Sequence, residues 1–338
     1  MAQYKYYFAY PLEAIWIGPR VSGDTPLGTG GWGALMKEVV GDVEVDGWQL
    51  RVERDGCMVL TPPQDSEVDQ PISQERVDVD VKRWRDVCAR LNAFSLLLAS
   101  ESDKAGNEAS VSFRYLDHQE IVVTRGANGE DYPAFRMNQT AHNQWRMRRD
   151  LGSDPRNAGL LLMRSERSHE TVANAINAYV STVEDPTALR LLDMLAIAQS
   201  DFHSGKHNPS VVLAWFVIES LLNIEWNRWL ESNNNVVDVT SDGEEIMRIN
   251  SSRKQLLTGR DYTASIISQN LELIGLLKHG DLKDIDTVRK SRNAIAHKAN
   301  TDFGLDEPML ALRTAMLLFS REFKVEVVPN VGRSWRTP

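Results

Sequence analysis

The sequence predicts an α+β N-terminal domain, made of an antiparallel sheet and one long helix, followed by an all-α helical bundle. Apolar residues alternate with polar ones between Val43 and Thr61, which is typical of strands. From Val79 to Ser100, and again from Thr171 onwards, apolar residues recur at helical spacing. At 338 residues the chain is long enough for two domains that each bury a core.

The composition is ordinary for a soluble globular protein, with 42% hydrophobic and 25% charged residues. The formal net charge of −9 argues against a protein that coats nucleic acid non-specifically, but it leaves room for a local basic cleft. Cys57 and Cys88 have neither a disulfide framework nor zinc-site spacing, which fits a reducing compartment. Because no secretory signal pattern and no apolar run of membrane-spanning length is present, we expect a cytoplasmic protein without a membrane partner.

The N-terminal domain, residues 1–135, is predicted to have five or six strands and one long helix. Two tight-turn signals, Asp46-Gly47 and Asp55-Gly56, divide its alternating stretch into a β meander. Further strands are expected at residues 1–17, 111–115 and 120–125. The Gly-rich stretch 27–33 lacks the preceding strand and the Lys-Ser or Lys-Thr pair of a phosphate-binding loop, so we interpret it as an ordinary loop.

A basic connector is predicted at residues 136–170. Between Arg136 and Arg167 the sequence has seven arginines, two aspartates and one glutamate, a local charge of +4. One interpretation is a strip that holds an RNA backbone, in which Trp145 stacks on a base beside Arg146, Arg148 and Arg149. The other interpretation, which we favour because charge runs are usually solvated faces, is a connector whose arginines pair with acidic residues elsewhere.

The C-terminal bundle, residues 171–325, is predicted to contain about five helices. Apolar stripes indicate helices at residues 171–180, 186–203, 209–230, 251–280, 281–300 and 307–323. A polar insertion at 232–249 is expected to be a loop or a small hairpin. Residues 324–328 suit a short strand, and residues 326–338 are expected to be a tail.

His203 and His207 are four residues apart, a spacing at which two histidines on a helix can bind a metal ion. Gly205 indicates the end of one helix, and Asn208-Pro209 indicate the start of the next. No further metal ligand lies near these histidines in the sequence. We therefore expect no metal and no other cofactor.

Functional side chains concentrate in the stretch Arg292-Asn293-Ala294-Ile295-Ala296-His297, on the helix predicted from Asp281 to Asn300. Arg289 and Lys290 precede this stretch, and Lys298 follows it at the end of the helix, where the dipole favours cations. Arginine offers a charged fork of donors that matches phosphate oxygens, and histidine exchanges protons near neutral pH. Together with a carboxamide, these groups suit chemistry on a phosphodiester.

The spacing of these residues sets their geometry. Asn293 and His297 are four apart and share a helix face, so the amide can orient the imidazole. Arg292 and His297 are five apart, which is about 140° around an ideal helix. They therefore do not share one face, but both can reach a wider cleft, such as one formed between two copies of this helix.

The pattern of Arg292, Asn293 and His297 on one helix resembles the HEPN superfamily (higher eukaryotes and prokaryotes nucleotide-binding), whose ribonuclease members share an Arg, a polar residue, a short spacer and a His. The preceding apolar helix, Val211 to Leu222, resembles that of the ApeA-like branch, with Glu219 at its acidic position. In so apolar a helix we expect Glu219 to be paired or hydrogen-bonded. The likeness covers roughly the last 140 residues, where helical periodicity begins, and nothing before them.

The resemblance implies an HEPN-like bundle that acts as a metal-independent endoribonuclease on single-stranded RNA. In that family's chemistry His297 is the acid or base, Arg292 stabilises the pentavalent phosphate, and Asn293 orients one of them. The products carry a 2′,3′-cyclic phosphate and a 5′-hydroxyl. The supporting residues are Glu219, Arg289, Lys290 and Lys298.

The resemblance also implies a homodimer in which two sets of motif residues face one cleft. Such proteins often act in toxin or anti-phage defence systems. By analogy alone, the N-terminal domain would sense a small-molecule or protein trigger. The alternative function is a catalytically inactive HEPN module that binds nucleotide, RNA or a protein partner.

Overall fold

The computed structural model describes residues 5–11, 15–19, 31–63, 74–106, 113–118, 120–125, 164–259, 262–297 and 303–330. The chain divides into two compact units. The first comprises residues 1–203 together with 327–338, and the second comprises residues 204–326. A small antiparallel sheet in the N-terminal part precedes a mostly helical C-terminal part, as the sequence predicts.

An antiparallel sheet forms the centre of the first unit. The strands of this unit in the described residues are β1 (Lys5–Ala9), β2 (Ile15–Ile17), β3 (Val39–Val45), β4 (Trp48–Glu53), β5 (Met58–Thr61), β6 (Val122–Arg125) and β7 (Ser165–Arg167). Five of them form the sheet in the order β3-β4-β5-β1-β6. Asp46 and Gly47 have φ values of 52° and 74° in the two-residue turn between β3 and β4. Positive φ at both positions is typical of a type I′ hairpin, and the predicted meander is confirmed.

Residues 1–17 were predicted as a strand with an edge or a bend at Pro11, and their described part contains two strands in different sheets. β1 joins the five-stranded sheet, whereas β2 pairs in parallel with β7. Pro11 lies between the two strands, and proline cannot donate a ladder hydrogen bond. The sequence gives no signal for β7, since three residues are too few to show an alternating pattern.

The predicted strand at residues 111–115 is not formed in its described part, residues 113–115. The side chain of Asn92 takes the place of a strand partner. Its Nδ2 donates to the Leu116 carbonyl at 2.9 Å, and its Oδ1 accepts from the Leu116 N–H at 2.7 Å. One buried amide therefore satisfies main-chain groups that a ladder would otherwise pair.

Four helices belong to the described part of the first unit: α1 (Gly31–Met36), α2 (Gln74–Ala105), α3 (His169–Val183) and α4 (Pro186–His203). Both α3 and α4 pack against α2. The sequence assigned residues 171–203 to the C-terminal bundle, but in the structure they lie in the first unit. Periodicity shows that a helix buries one face, but it does not show against which neighbour.

Residues 327–330 belong to the first unit, and the strand predicted at residues 324–328 is not formed. Residues 325–330 have no regular secondary structure. The Val328 N–H donates to Ser100 Oγ at 2.9 Å. Gln199 bonds both main-chain groups of Asn330, donating to its carbonyl at 2.8 Å and accepting from its N–H at 3.1 Å. As with Asn92, a side-chain amide replaces a strand partner.

Asp55 is a buried carboxyl group in the turn between β4 and β5. It accepts hydrogen bonds from the Cys57 N–H at 3.1 Å and the Tyr10 hydroxyl at 3.3 Å. Arg164 donates to the Asp55 main-chain carbonyl at 2.8 Å. Burial raises the pKa of Asp55 from 3.8 to about 6, although the charge of Arg164 and the two hydrogen bonds oppose the rise.

We expect Asp55→Asn to be more stable than the wild type above about pH 6. A carboxyl group with a raised folded pKa contributes stability below its unfolded pKa, and that contribution is lost as the pH rises through the folded pKa, here about 6. A shift of about two units corresponds to at most about 3 kcal/mol, and asparagine keeps an oxygen acceptor for the Cys57 N–H. Thermal unfolding near pH 4 and near pH 8 measures the effect. Equal melting temperatures of the two proteins near pH 8 would contradict this prediction.

The second unit is a helical bundle with one exposed hairpin. Its described helices are α5 (His207–Ser232), α6 (Ser251–Leu257), α7 (Ala264–Leu273), α8 (His279–His297) and α9 (Asp306–Phe323), and the hairpin consists of β8 (Val236–Val239) and β9 (Glu245–Met247). The helix predicted at residues 251–280, with a kink or a start near Gly259, is two helices, α6 and α7, and Gly259 lies between them. Gly275 follows α7 with φ 78°, a left-handed conformation that glycine adopts readily at helix ends.

Three contacts fix the directions of the main helices in the second unit. His207 Nδ1 lies 2.9 Å from the Phe303 carbonyl, and Arg228 pairs with Glu322, so α5 and α9 run parallel. Arg321 pairs with Asp281, so the start of α8 lies beside the end of α9 and the two helices are antiparallel. The end of α8 therefore lies at the end of the bundle where α5 and α9 begin.

Helix α5 is the one described helix that is long and apolar enough, by length and composition, to cross a membrane. Half of its most apolar window is buried inside the structure, and it packs against α7, α8 and α9. Core helices of soluble proteins have these same properties. The finding is consistent with a soluble protein, and the cytoplasmic location stays a prediction.

Candidate functional site

The predicted motif lies on the last two turns of α8. Leu282, Ile285 and Val288 form the buried face of this helix. Beyond Val288 no residue of α8 is fully buried, and His297, its last residue, is exposed. The motif residues therefore occupy the accessible end of a helix whose first half is anchored in the bundle.

Asp286 pairs with both cations that precede the motif, so one carboxylate charge is shared between two positive groups. Its Oδ1 lies 2.6 Å from Arg289 Nη2, and its Oδ2 lies 2.7 Å from Lys290 Nζ. These hydrogen bonds, first that of Lys290 and then that of Arg289, lower the pKa of Asp286. The three- and four-residue spacings from Asp286 are a readable helix signal that the sequence interpretation missed. Arg289 and Lys290 are thus less available for a phosphate than the sequence suggested.

Arg292 and Asn293 form a contact of their own. Arg292 Nη1 donates to Asn293 Oδ1 at 3.1 Å, and both side chains are partly buried. Among the described residues, no carboxylate pairs with Arg292, in contrast to Arg289. The carboxamide therefore orients the arginine, which keeps its charge for an anion.

His297 has no hydrogen-bond partner among the residues that the structure describes. The predicted contact between Asn293 and this imidazole is not formed; the Asn293 oxygen accepts from Arg292. His297 is the last residue of α8. Arg292 and His297 are separated by about 7.5 Å along the helix axis and about 140° around it.

Glu219 lies on α5 and is only partly buried. Within the described ranges no ion pair involves its carboxylate, so the pairing expected for a glutamate in so apolar a helix is not seen. Because water reaches the side chain, the charge needs no protein partner. The remaining predicted site residues, Lys298 at the end of the motif helix and Trp145, Arg146, Arg148 and Arg149 in the connector, lie outside the described residues.

The two histidines weighed as metal ligands bind main-chain carbonyls instead. His203 Nε2 lies 2.7 Å from the Asn330 carbonyl, and His207 Nδ1 lies 2.9 Å from that of Phe303. In the described part of the chain, no group of three or more His, Cys, Asp or Glu side chains is placed to hold a metal ion.

Comparison with known proteins gives no further assignment. No protein-family model, no curated protein and no solved structure matches the chain.

Proposed function

We propose that this protein is a metal-independent endoribonuclease that cuts single-stranded RNA at a site built on Arg292, Asn293 and His297. The observation that carries the proposal is the contrast along one helix. Arg289 and Lys290 both pair with the carboxylate of Asp286, whereas Arg292 is held by an amide and has no carboxylate partner among the described residues. An arginine in that state, one and a half turns from an exposed histidine, is suited to a phosphate anion.

The proposed reaction is an internal transfer at phosphorus. The 2′-hydroxyl loses its proton to a base and its oxygen attacks the adjacent phosphorus. The bond from phosphorus to the 5′-oxygen then breaks, and an acid protonates the leaving oxygen. His297 supplies one of these proton transfers, and Arg292 stabilises the charge of the pentavalent state. The products carry a 2′,3′-cyclic phosphate and a 5′-hydroxyl.

A homodimer through the helical bundle is part of the proposal. Because Arg292 and His297 project about 140° apart, one copy does not present both to the same phosphate from one face. Two copies of α8 that border a common cleft would supply an arginine and a histidine from opposite sides. A role in toxin or anti-phage defence, with the first unit sensing a trigger, belongs to the same proposal and rests on the resemblance alone.

The direct test is incubation of the full chain with labelled single-stranded RNA and with DNA of the same sequence, both in excess chelator. We expect cleavage of the RNA only, since DNA lacks the attacking hydroxyl. Cleavage of both polymers, or cleavage that chelator stops, would contradict the proposal.

The alternative, an inactive module that binds nucleotide, RNA or a protein, is favoured by one observation: no described residue orients the His297 imidazole. It predicts that the wild type binds the RNA and leaves it intact. An enzyme whose first unit waits for a trigger would also leave the RNA intact. The assay is therefore repeated after the purified protein is added to cell extract. RNA cleavage that the wild type shows and His297→Ala does not supports the ribonuclease.

A further inference from the structure

Three aromatic rings stack at the C-terminal end of α5. The Trp226 and Trp229 rings have centroids 5.1 Å apart at an interplanar angle of 12°, and the Trp226 and Tyr262 rings have centroids 5.4 Å apart at 16°. Trp226, the ring that contacts both others, is 4% exposed, whereas Trp229 and Tyr262 are only partly buried. Nearly parallel rings with an accessible outer member are the kind of surface on which unpaired bases stack.

Hydrogen bonds hold this stack in place. Trp226 Nε1 donates to the Leu257 carbonyl, the last residue of α6, at 2.9 Å. Asn270 Nδ2 donates to the Tyr262 hydroxyl at 2.8 Å. The central ring and one outer ring are therefore fixed by their polar atoms, and Trp229 is the member whose indole N–H makes no hydrogen bond to a described residue. A rigid aromatic surface loses little entropy when it binds a ligand.

Two exposed arginines lie near the stack: Arg253 on α6, the helix that Trp226 contacts, and Arg248 three residues before the start of that helix. Lys254 of α6 pairs with Glu231 of α5 at 3.2 Å, two residues after Trp229. The neighbouring Arg253 donates from Nη1 to the Arg248 carbonyl at 3.2 Å, which brings these two arginines together. Neither pairs with a carboxylate among the described residues, so both are available to phosphates.

The carboxylates of α5 on either side of Trp229 already have cationic partners. Glu225 pairs with Arg228 at 2.7 Å, and Glu231 pairs with Lys254. Their repulsion of a phosphate backbone is thereby reduced, whereas the charges of Arg248 and Arg253 are not offset in this way. Arg248 and Arg253, which pair with no described carboxylate, therefore supply positive charge for phosphates, although the neighbouring hairpin carries the exposed carboxylates Asp238, Asp242, Glu244 and Glu245.

The stack and the motif lie at opposite ends of the bundle. Arg228 pairs with Glu322, and Arg321 pairs with Asp281, which places the end of α5 level with the first turn of α8. His297 is sixteen residues beyond Asp281, or about 24 Å along the helix. A polymer that touches both places must therefore span several nucleotides.

We propose that Trp229, Arg248 and Arg253 form a docking platform for single-stranded RNA, which holds nucleotides several positions away from the bond cut at Arg292 and His297. The Trp229 indole stacks on a base, and the two guanidinium groups bind phosphates. The inference rests on the proposed function, because RNA is the polymer that the motif is proposed to cut. Base sequence matters little at this platform, since every base has a face that stacks.

The first test is binding of a fluorescent 2′-O-methyl oligouridylate of about 12 nucleotides, a length within the usual site sizes, which the proposed reaction cannot cut. We expect Trp229→Ala to weaken binding about tenfold, and Trp229→Phe to retain most of the affinity because the ring remains. Arg253→Ala is expected to reduce the slope of log affinity against log salt by about one. Lys283→Ala, which removes an exposed cation from α8, is the matched control and is expected to bind like the wild type.

The second test uses substrate length. Because a dinucleotide cannot span about 24 Å, we expect Trp229→Ala to leave dinucleotide cleavage unchanged while it raises the KM for RNA of about 12 nucleotides about tenfold. A variant that is merely misfolded loses activity on both substrates. The length dependence therefore separates a docking role from a structural one.

Three results would overturn the platform: no binding of the oligonucleotide by the wild type, equal binding by Trp229→Ala and the wild type, or equal weakening by Trp229→Phe and Trp229→Ala. Oligonucleotide binding that depends on Trp229, without any cleavage of unmodified RNA, would instead remove the ribonuclease and leave the platform in place. Failure of the docking platform and failure of the ribonuclease proposal therefore give different results.

Discussion

His297→Ala is expected to lower the rate of RNA cleavage by about 10²- to 10⁴-fold, the usual contribution of a positioned acid or base. The reason is that the last two turns of α8 have no other described side chain that is suited to act as an acid or a base. The measurement is single-turnover cleavage of labelled RNA in excess chelator, with enzyme above the amount needed to bind all substrate.

The control for this variant is Lys283→Ala on the same helix, which we expect to cut at the wild-type rate. Because His297 is exposed and has no described partner, its removal should not change the melting temperature. A His297→Ala protein that is folded and cuts within a few-fold of the wild-type rate would place the chemistry elsewhere.

Arg292→Ala is expected to cost about 10²- to 10³-fold in kcat, comparable to the loss of one donor that stabilises a transition-state oxyanion. Arg292→Lys should recover only part of this loss, because an ammonium group keeps the charge but not the planar fork of donors. Separate values of kcat and KM distinguish this role from simple substrate binding, which would raise KM alone.

Arg289→Ala provides the comparison for Arg292. The Arg289 guanidinium is held by Asp286, so we expect a loss of less than about tenfold, in line with a partly exposed ion pair. Equal losses for the two arginine variants would mean that the pairing by Asp286 does not decide which cation acts. In that case the difference between Arg289, which pairs with a carboxylate, and Arg292, which does not, has no effect on function.

The motif helix illustrates what local pattern predicts well. The sequence predicted residues 281–300, and α8 runs from His279 to His297. Acidic residues at its start, an apolar stripe and a basic end all agree with one helix, and such local signals depend little on the rest of the chain. The meander of β3, β4 and β5 was predictable for the same reason, since two turn signals separate alternating runs.

Contacts between distant segments were not predictable in this way. Asn92 satisfies the main chain of Leu116, just after a predicted strand, and Gln199 satisfies that of Asn330, in the predicted tail. A single amide at long range leaves no periodic signal. Likewise, the apolar faces of α3 and α4 show that these helices are buried but not that α2 covers them.

Within the site, the sequence identified the functional side chains but predicted only part of the contacts between them. The bond between Asn293 and Arg292 joins neighbours in the chain, whereas the four-residue spacing pointed to His297 as the partner of the amide. Rotamer choice among several donors within reach decided the outcome, and spacing alone does not determine it.

The most direct test of the central claim is mass spectrometry of the RNA ends left by the wild type and by His297→Ala in excess chelator. Transfer to a 2′-hydroxyl predicts 2′,3′-cyclic phosphate and 5′-hydroxyl ends from the wild type and no new ends from the variant. Products with 3′-hydroxyl and 5′-phosphate ends, or the same products from both proteins, would contradict a ribonuclease built on Arg292 and His297.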